Sequence, residues 1–289
     1  MSQDFTDAAL VLVAHGSSTN ADSGAPTYQH AAALRERGLF AEVHEAFWRQ
    51  PPFIREVVRR VSTPRVFVVP LFIGEGYFTQ EIIPCELDLP AVETPTFPRI
   101  YSRGGQTLCY CGPVGTHPSL TEVLLARARD IVGKHPARQP VEPADITLFL
   151  AGHGTARNDH SREVIERQVE RIRERRLYAG VHALFMEEEP RIGACYQLAT
   201  TRHLVVVPCF ISDGQHTTED IPVLLGEAES VVEARRAGGE WPWRNPTERR
   251  GKLVWYTPSL GSEPHLPDVI LERVREAAGR PCFPVRGRI

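Results

Sequence analysis

The sequence predicts an α/β protein built from two tandem copies of one small domain, each a doubly wound parallel sheet flanked by helices. Three observations predict this fold class. The chain repeats itself at a fixed spacing, each copy alternates short apolar runs with helical stretches, and 289 residues suffice for two domains. Strands that alternate with helices favour parallel pairing, in which helices cover both faces of the sheet.

The repeat is visible without a gap over 75 residues. Residues 10–84 and 148–222 share 27 identical pairs at a constant offset of 138, the spacing between His15 and His153. Further along, Gly115 and Gly261 correspond at an offset of 146, so the second copy has gained 146 − 138 = 8 residues. We expect this gain in a loop near residues 238–243, which is rich in glycine and tryptophan.

Both copies give the same order of predicted elements. The expected linker is 135–140, which has prolines at positions 136 and 140 and little apolar content. We therefore predict domains at 1–138 and 139–289. Short apolar runs predict the strands, and the stretches between them predict the helices. The predicted elements, in the first and second copy, are a strand at 8–14 and 146–151, a helix ending near 37 and 175, a strand at 42–47 and 181–186, a helix after 52 and 190, strands at 65–72 and 203–211 and at 108–111 and 253–256, and a closing helix at 119–132 and 267–277.

Composition argues against several functional classes. The net charge of −3 and the pI of about 6.4 give no overall basic surface for nucleic acid. The apolar runs are strand-sized and interrupted by proline or histidine, so we predict no membrane span. Six cysteines are too few for a disulfide scaffold in a chain of this length, and residues 1–7 are polar and acidic. We therefore expect a cytoplasmic protein whose thiols, including the pair Cys109 and Cys111, are reduced.

The chemistry is expected beyond the carboxyl ends of the parallel strands. In the second copy His153 follows the first strand, Glu187 the second and His216 the third. Two imidazoles and one carboxylate form a ligand set that suits divalent cobalt, iron, nickel or zinc. Glu187 is equally well explained as a solvated acid in an acidic run.

The first copy has lost this set. It keeps His15, but Arg49 aligns with the glutamate and Phe78 with the second histidine. Phenylalanine cannot bind a metal, and arginine repels a cation. We expect His15 to be a relic, or a residue that orders its loop by a hydrogen bond.

These motifs resemble the class II tetrapyrrole chelatases, in particular the sirohydrochlorin chelatases CbiX and SirB. That family has His-Gly-Ser/Thr after the first strand and Pro-x-Phe-x-x-x-Gly-x-His-x-x-x-Asp-Ile-Pro after the third. Residues 208–222 match the longer motif closely, and residues 70–84 are a degenerate copy of it. The resemblance covers nearly the whole chain. In long members of the family the active pair usually lies in the N-terminal half, whereas here it lies in the C-terminal half.

The resemblance implies two chelatase-like domains and a lyase that inserts a divalent metal, Co²⁺, Fe²⁺ or Ni²⁺, into sirohydrochlorin or a close relative, for cobalamin or siroheme synthesis. It implies that His153 and His216 bind the metal and act in catalysis with Glu187. The metal is a substrate, and no organic cofactor is expected. Because the tetrapyrrole carries many carboxylates, we expect arginine side chains along the site, with Arg157 the best placed.

Gly154 and Gly214, which belong to the two motif loops, are expected to contact the substrate as well. Arg103 and Arg162 are weaker candidates for binding its carboxylates. Because the halves are duplicated, we predict a monomer with an internal pseudo-twofold axis and the substrate cleft between the halves.

Alternatives remain open at this stage. A non-catalytic metal or tetrapyrrole carrier would have the same motifs, and a phosphohydrolase of the His-Gly type is a third hypothesis. Trp241 and Trp243 in the added loop are explained either as a lid over a flat macrocycle or as aromatic side chains that pack within their own loop.

Overall fold

The computed structural model describes residues 5–18, 21–90, 96–154 and 160–280. The strands are β1 (Phe5–Ala14), β2 (Phe40–Phe47), β3 (Arg65–Pro70), β4 (Arg99–Arg103), β5 (Gln106–Tyr110), β6 (Ile146–Gly152), β7 (Gly180–Phe185), β8 (His203–Pro208), β9 (Thr247–Arg249) and β10 (Lys252–Tyr256). The α-helices are α1 (Ala25–Glu36), α2 (Ile54–Arg60), α3 (Ile83–Glu86), α4 (Leu120–Lys134), α5 (His160–Glu174), α6 (Cys195–Leu198), α7 (Ile221–Leu224), α8 (Glu229–Ala237) and α9 (Leu266–Ala278). Two short π-helices, Phe78–Ile82 and His216–Asp220, precede α3 and α7.

The described strands form two five-stranded sheets of identical order, β2-β1-β3-β5-β4 and β7-β6-β8-β10-β9. In each sheet four strands are parallel, and this confirms the predicted α/β class. The fifth strand, β4 or β9, is an antiparallel edge strand that the sequence analysis missed. Two-residue turns with positive φ at both positions, Gly104-Gly105 and Arg250-Gly251, join these strands to β5 and β10. Such turns are a sequence signal of a hairpin.

The central strands are apolar along their length because helices cover both faces of each sheet. Every residue of β6 is buried, as are all residues of β1 from Ala8 onward. Each sheet packs against a hydrophobic core cluster. The cluster of the first sheet includes side chains of β1 and β3, and that of the second sheet includes side chains of β6 and β8. The carboxyl end of β1 lies between those of β2 and β3, and the carboxyl end of β6 lies between those of β7 and β8.

The closing helices differ from the expected arrangement. The chain divides into two compact units, Met1–Ser119 with Pro264–Ile289, and Leu120–Glu263. Helix α4 thus belongs to the unit with the second sheet, and α9 belongs to the unit with the first sheet. The compact units do not coincide with the domains at 1–138 and 139–289, which remain a prediction about the extent of the sequence repeats.

A buried arginine binds each closing helix, α4 or α9, to the rest of its compact unit. In the second unit Arg127 of α4 lies 3.0 Å from the carboxylate of Glu263 and donates a hydrogen bond to the carbonyl oxygen of Ser259. In the first unit Arg273 of α9 donates to the carbonyl oxygen of Pro113. Removing one partner of a buried ion pair costs about 3–5 kcal/mol, so truncating Arg127 or Glu263 alone would destabilise the packing of α4 in this unit.

A glycine in each copy permits two backbone segments to approach each other closely. A Cβ atom at Gly261 would collide with the carbonyl oxygen of Ile211, and one at Gly115 would collide with that of Ile73. The two isoleucines occupy the same repeat position, in the loop after the third strand. The glycines therefore fix the conformation of the loops after β3 and β8, which belong to the longer motif.

We expect Gly261→Ala to lower the free energy of unfolding by about 2–3 kcal/mol, because the colliding atom belongs to the backbone and cannot move aside. Urea denaturation followed by circular dichroism measures this. Gly214→Ala is the matched control, since the nearest atom to its added Cβ is Ser212 Oγ at 3.9 Å. Equal stability of the two variants would contradict this account of Gly261.

Candidate functional site

The site residues of the second copy lie at the ends of three neighbouring strands. His153 directly follows β6, Glu187 follows β7, and His216 opens the π-helix after β8. The strand order β7-β6-β8 puts His153 in the middle. The backbone joins the first two loops, because the N–H group of Glu187 donates to the carbonyl oxygen of His153 at 3.0 Å.

The three side chains converge as the sequence predicted. The imidazole rings of His153 and His216 have centroids 4.9 Å apart and are nearly perpendicular, at 78°. Nε2 of His153 lies 3.8 Å from Oε1 of Glu187. The side chains are 38%, 44% and 58% exposed for His153, His216 and Glu187, so a metal ion can reach them from solvent.

Hydrogen bonds orient both imidazoles in the same way. Nδ1 of His153 donates to the carbonyl oxygen of Gly154 at 2.7 Å, and Nδ1 of His216 donates to Oδ2 of Asp220 at 2.7 Å. Because each acceptor needs a proton on Nδ1, the Nε2 lone pair of each ring is left free. A hydrogen bond on one ring nitrogen that presents the other to a metal is the usual outer-shell arrangement of metal-binding histidines.

Asp220 belongs to the longer motif, but the sequence analysis gave it no role in the site. It stands four positions after His216 on the same π-helix, and this spacing brings its carboxylate to the imidazole. The signal was present in the alignment of the two copies. The residue that corresponds to Asp220 in the first copy is Ile82, so the acid occurs in the copy that has the second histidine.

The site is open rather than preformed. Within the described ranges, no three His, Cys, Asp or Glu side chains form a group that could already hold a metal ion. The histidine pair offers two nitrogen donors, and Glu187 approaches from the side of His153. A metal held by few protein ligands keeps positions for water or substrate, whereas a closed four-ligand site does not.

The first copy presents aromatic rings at the corresponding edge. His15 keeps the hydrogen bond from Nδ1 to the next carbonyl oxygen, that of Gly16, at 2.8 Å. Its ring centroid lies 4.7 Å from that of Phe78 and 5.3 Å from that of Trp48. The guanidinium of Arg49 lies 3.9 Å above the Trp48 ring. Of the predicted set, only one imidazole remains in this copy.

The glycines predicted to contact substrate shape the two loops. Gly154 has φ +67°, and a Cβ there would lie 2.9 Å from Cβ of Phe185, so the residue that accepts the His153 hydrogen bond must be glycine. The carbonyl oxygen of Gly214 accepts hydrogen bonds from the hydroxyl groups of Thr217 and Thr218 at the start of the π-helix. Contact of either glycine with substrate stays a prediction.

The predicted arginines fall into two groups. Arg157 lies outside the described residues. Arg162 contacts the carboxylates of Glu166 and Glu188, and Arg103 lies 3.6 Å from Asp88 in the other compact unit. Both weaker candidates therefore already have carboxylate partners.

The cysteines that the structure describes have free thiols. Four of them are buried, and Cys85 is exposed. Burial raises the pKa of Cys195 and of Cys209 to about 12, so these groups remain protonated and unreactive at neutral pH. In the described ranges we find no helix whose length and apolar character would let it cross a membrane.

Fold and site together define a tandem chelatase-like protein. The CbiX family model matches residues 9–131 and 147–277, once in each copy. A probable sirohydrochlorin cobaltochelatase of Halobacterium salinarum is 40% identical over 279 residues, which are 93% of this chain and 91% of the relative. The chain belongs to the CbiX family.

Shorter and longer proteins resemble it as well. A sirohydrochlorin cobaltochelatase of Methanopyrus kandleri is 29% identical over 142 residues, which are 98% of that protein but 46% of this chain. The multi-domain protein DR2241 of Deinococcus radiodurans, described as similar to chelatases with two additional novel domains, superposes with a TM-score of 0.75 at 29% identity. That alignment covers 94% of this chain, which spans about half of the longer protein (54%). The comparisons agree with a duplicated chelatase domain.

Proposed function

We propose that this protein inserts Co²⁺ into sirohydrochlorin at the carboxyl edge of the second sheet, with Fe²⁺ and Ni²⁺ as alternative metal substrates. The observation that carries the proposal is the pair of imidazoles whose Nε2 atoms are free at adjacent strand ends. The family membership supports it, because the two-copy relative from Halobacterium salinarum is named a probable sirohydrochlorin cobaltochelatase. The product would serve cobalamin synthesis, or siroheme synthesis if the metal is iron.

The reaction exchanges one divalent cation for two pyrrole protons. His153 and His216 bind the arriving ion through Nε2 and replace part of its hydration shell. Because the site offers few ligands, the ion is held weakly enough to pass to the four macrocycle nitrogens. The carboxylate of Glu187, 3.8 Å from Nε2 of His153, is placed to accept one of the two protons that leave the macrocycle, and an imidazole that has released the ion accepts the other.

Arg157 follows the His153 loop in the sequence, and we propose that it binds a carboxylate of the tetrapyrrole. Gly154 and Gly214 allow the macrocycle to approach the backbone of the two loops. Such contacts are needed because the carboxylates of the tetrapyrrole lose part of their hydration when it binds.

We also propose that the enzyme is a monomer and that it works in the cytoplasm. The free thiols of the described cysteines support a reducing compartment. Sedimentation equilibrium of the purified protein tests the first point, and a mass of twice 32.3 kDa would contradict it. Cell fractionation with an antibody tests the second.

The activity is tested by an anaerobic absorbance assay. Purified protein is mixed with metal-free sirohydrochlorin and Co²⁺, Fe²⁺ or Ni²⁺ in turn, and the spectral change is compared with that of the uncatalysed reaction. We expect acceleration with Co²⁺. Tight binding of metal or macrocycle without acceleration by any of the three ions would instead identify a carrier protein.

A further inference from the structure

The second compact unit contains a cavity of ≈ 430 Å³ that the proposed reaction does not use. Its walls come from the C-terminal half of α4, from α8 and from the segment that leads to β9. None of the lining residues belongs to the edge with His153, Glu187 and His216. The volume lies within the range of about 300–1,000 Å³ that is typical of pockets for small molecules.

Tryptophans of the loop gained by the second copy form the apolar wall. Trp241 and Trp243 line the cavity, and their rings also pack against Tyr256 of β10, with centroids 5.7 and 6.3 Å away. This packing on the second sheet shows that the aromatic side chains of the loop pack inward, so a lid formed by both rings is the wrong interpretation. Because the first copy lacks these added residues, the cavity is a feature of the second copy.

The charge of the lining is predominantly positive. Four cationic side chains contribute to it against the single carboxylate of Asp130, and they are Arg127, Lys134, Arg235 and Arg244. Arg127 is paired with Glu263, and Arg235 with Glu240 at 3.0 Å. Lys134 approaches Asp130 only to 3.9 Å.

Arg244 is the fourth cation of the lining. It is exposed, and its guanidinium has no hydrogen-bond or ion-pair partner in the part of the chain that the structure describes. An unpaired guanidinium beside an apolar wall favours an anionic ligand, since its planar donors match a carboxylate or a phosphate.

We propose that this cavity binds a planar organic anion, a ring that carries a carboxylate or a phosphate and is no larger than a mononucleotide. The tryptophan wall contacts the ring, and Arg244 and Lys134 bind the anionic group. A free phosphate would leave the aromatic wall unused, and a neutral ring would leave the cations unused. The inference does not depend on the proposed chelatase activity.

Isothermal titration calorimetry of the full chain tests the proposal with five probes. Adenosine monophosphate and 2-naphthoate distinguish a phosphate from a carboxylate. Adenosine and 2-naphthylmethanol are the matching rings without the anionic group, and inorganic phosphate is an anion without a ring. We expect at least one of the two ring anions to bind with 1:1 stoichiometry. Its neutral counterpart and inorganic phosphate should each bind at least tenfold more weakly.

Variants locate the binding. Arg244→Glu should raise the Kd of the bound ring anion at least tenfold, and Trp241→Leu, which keeps an apolar side chain but removes the ring, should raise it severalfold. Arg60→Glu is the matched control, because it makes the same charge change at an exposed arginine that does not line the cavity. His216→Ala should leave the Kd unchanged.

Three results would overturn the proposal. The first is the absence of saturable binding by both ring anions. The second is a loss of affinity in Arg60→Glu as large as that in Arg244→Glu. The third is a loss in His216→Ala, which would place the ligand at the edge of the sheet instead of in the cavity.

Discussion

Replacing His216 or His153 with alanine is expected to slow cobalt insertion by about 10²–10⁴-fold, the range found when a group that transfers protons or binds the reacting centre is removed. Each substitution removes one of two free Nε2 donors, and the remaining imidazole cannot hold the ion against water by itself. The initial rate of the absorbance change with Co²⁺ and sirohydrochlorin measures the effect. The magnitude should be similar for both variants, because the two rings act on one ion.

His15→Ala is the matched control, since His15 occupies the same repeat position and makes the same backbone hydrogen bond as His153. Its ring packs against the rings of Trp48 and Phe78, and Phe78 occupies the repeat position of the second imidazole, so we expect the rate to stay within twofold of wild type. A loss in His15→Ala as large as that in His153→Ala would contradict the assignment of the reaction to the second copy.

Asp220→Ala is expected to lower the apparent affinity for Co²⁺ by about 10–100-fold, the usual cost of removing an outer partner of a metal-binding histidine. Without the carboxylate, the His216 ring is free to rotate and to carry its proton on Nε2, where it blocks the metal. Asp220→Asn keeps an oxygen that accepts the hydrogen bond, so its loss should be smaller. The KM for Co²⁺ should therefore rise in both variants, with the KM for the macrocycle nearly unchanged.

Glu219→Gln controls for the charge that Asp220→Ala removes. Glu219 lies on the same π-helix, but its carboxylate forms an ion pair with Arg236. We expect less than a threefold change in the KM for Co²⁺. If Glu219→Gln and Asp220→Ala weaken cobalt binding equally, general electrostatic attraction explains the effect, and Asp220 does not act by positioning His216.

The sequence predicted the strands and the edge that holds the site because both depend on local patterns. An apolar run such as Ile146–Gly152 is recognisable as a buried strand from its own sequence. The internal repeat supports each strand assignment a second time, because the same pattern occurs in both copies. Parallel strands then place His153, Glu187 and His216 at one edge whatever the details of packing. The edge strands β4 and β9 were missed because they are short and mostly polar, although the turn Gly104-Gly105 marked the first of them.

The placement of α4 and α9 could not be predicted from the repeat. When two copies share a pattern, either closing helix can cover either sheet with the same apolar face. The choice depends on contacts between residues far apart in the sequence, such as Arg127 with Glu263 and Arg273 with Pro113. The hydrogen bond from His216 to Asp220 was missed for a different reason, since the spacing of four residues becomes meaningful only once the π-helix is known.

The central claim is that the second copy receives the metal through Nε2 of His153 and His216. Anomalous diffraction from crystals soaked in Co²⁺, recorded on both sides of the cobalt absorption edge, tests it most directly. We predict one strong peak within bonding distance of both Nε2 atoms and none at His15. A peak at His15, or a peak that leaves either imidazole of the pair unoccupied, would contradict the account.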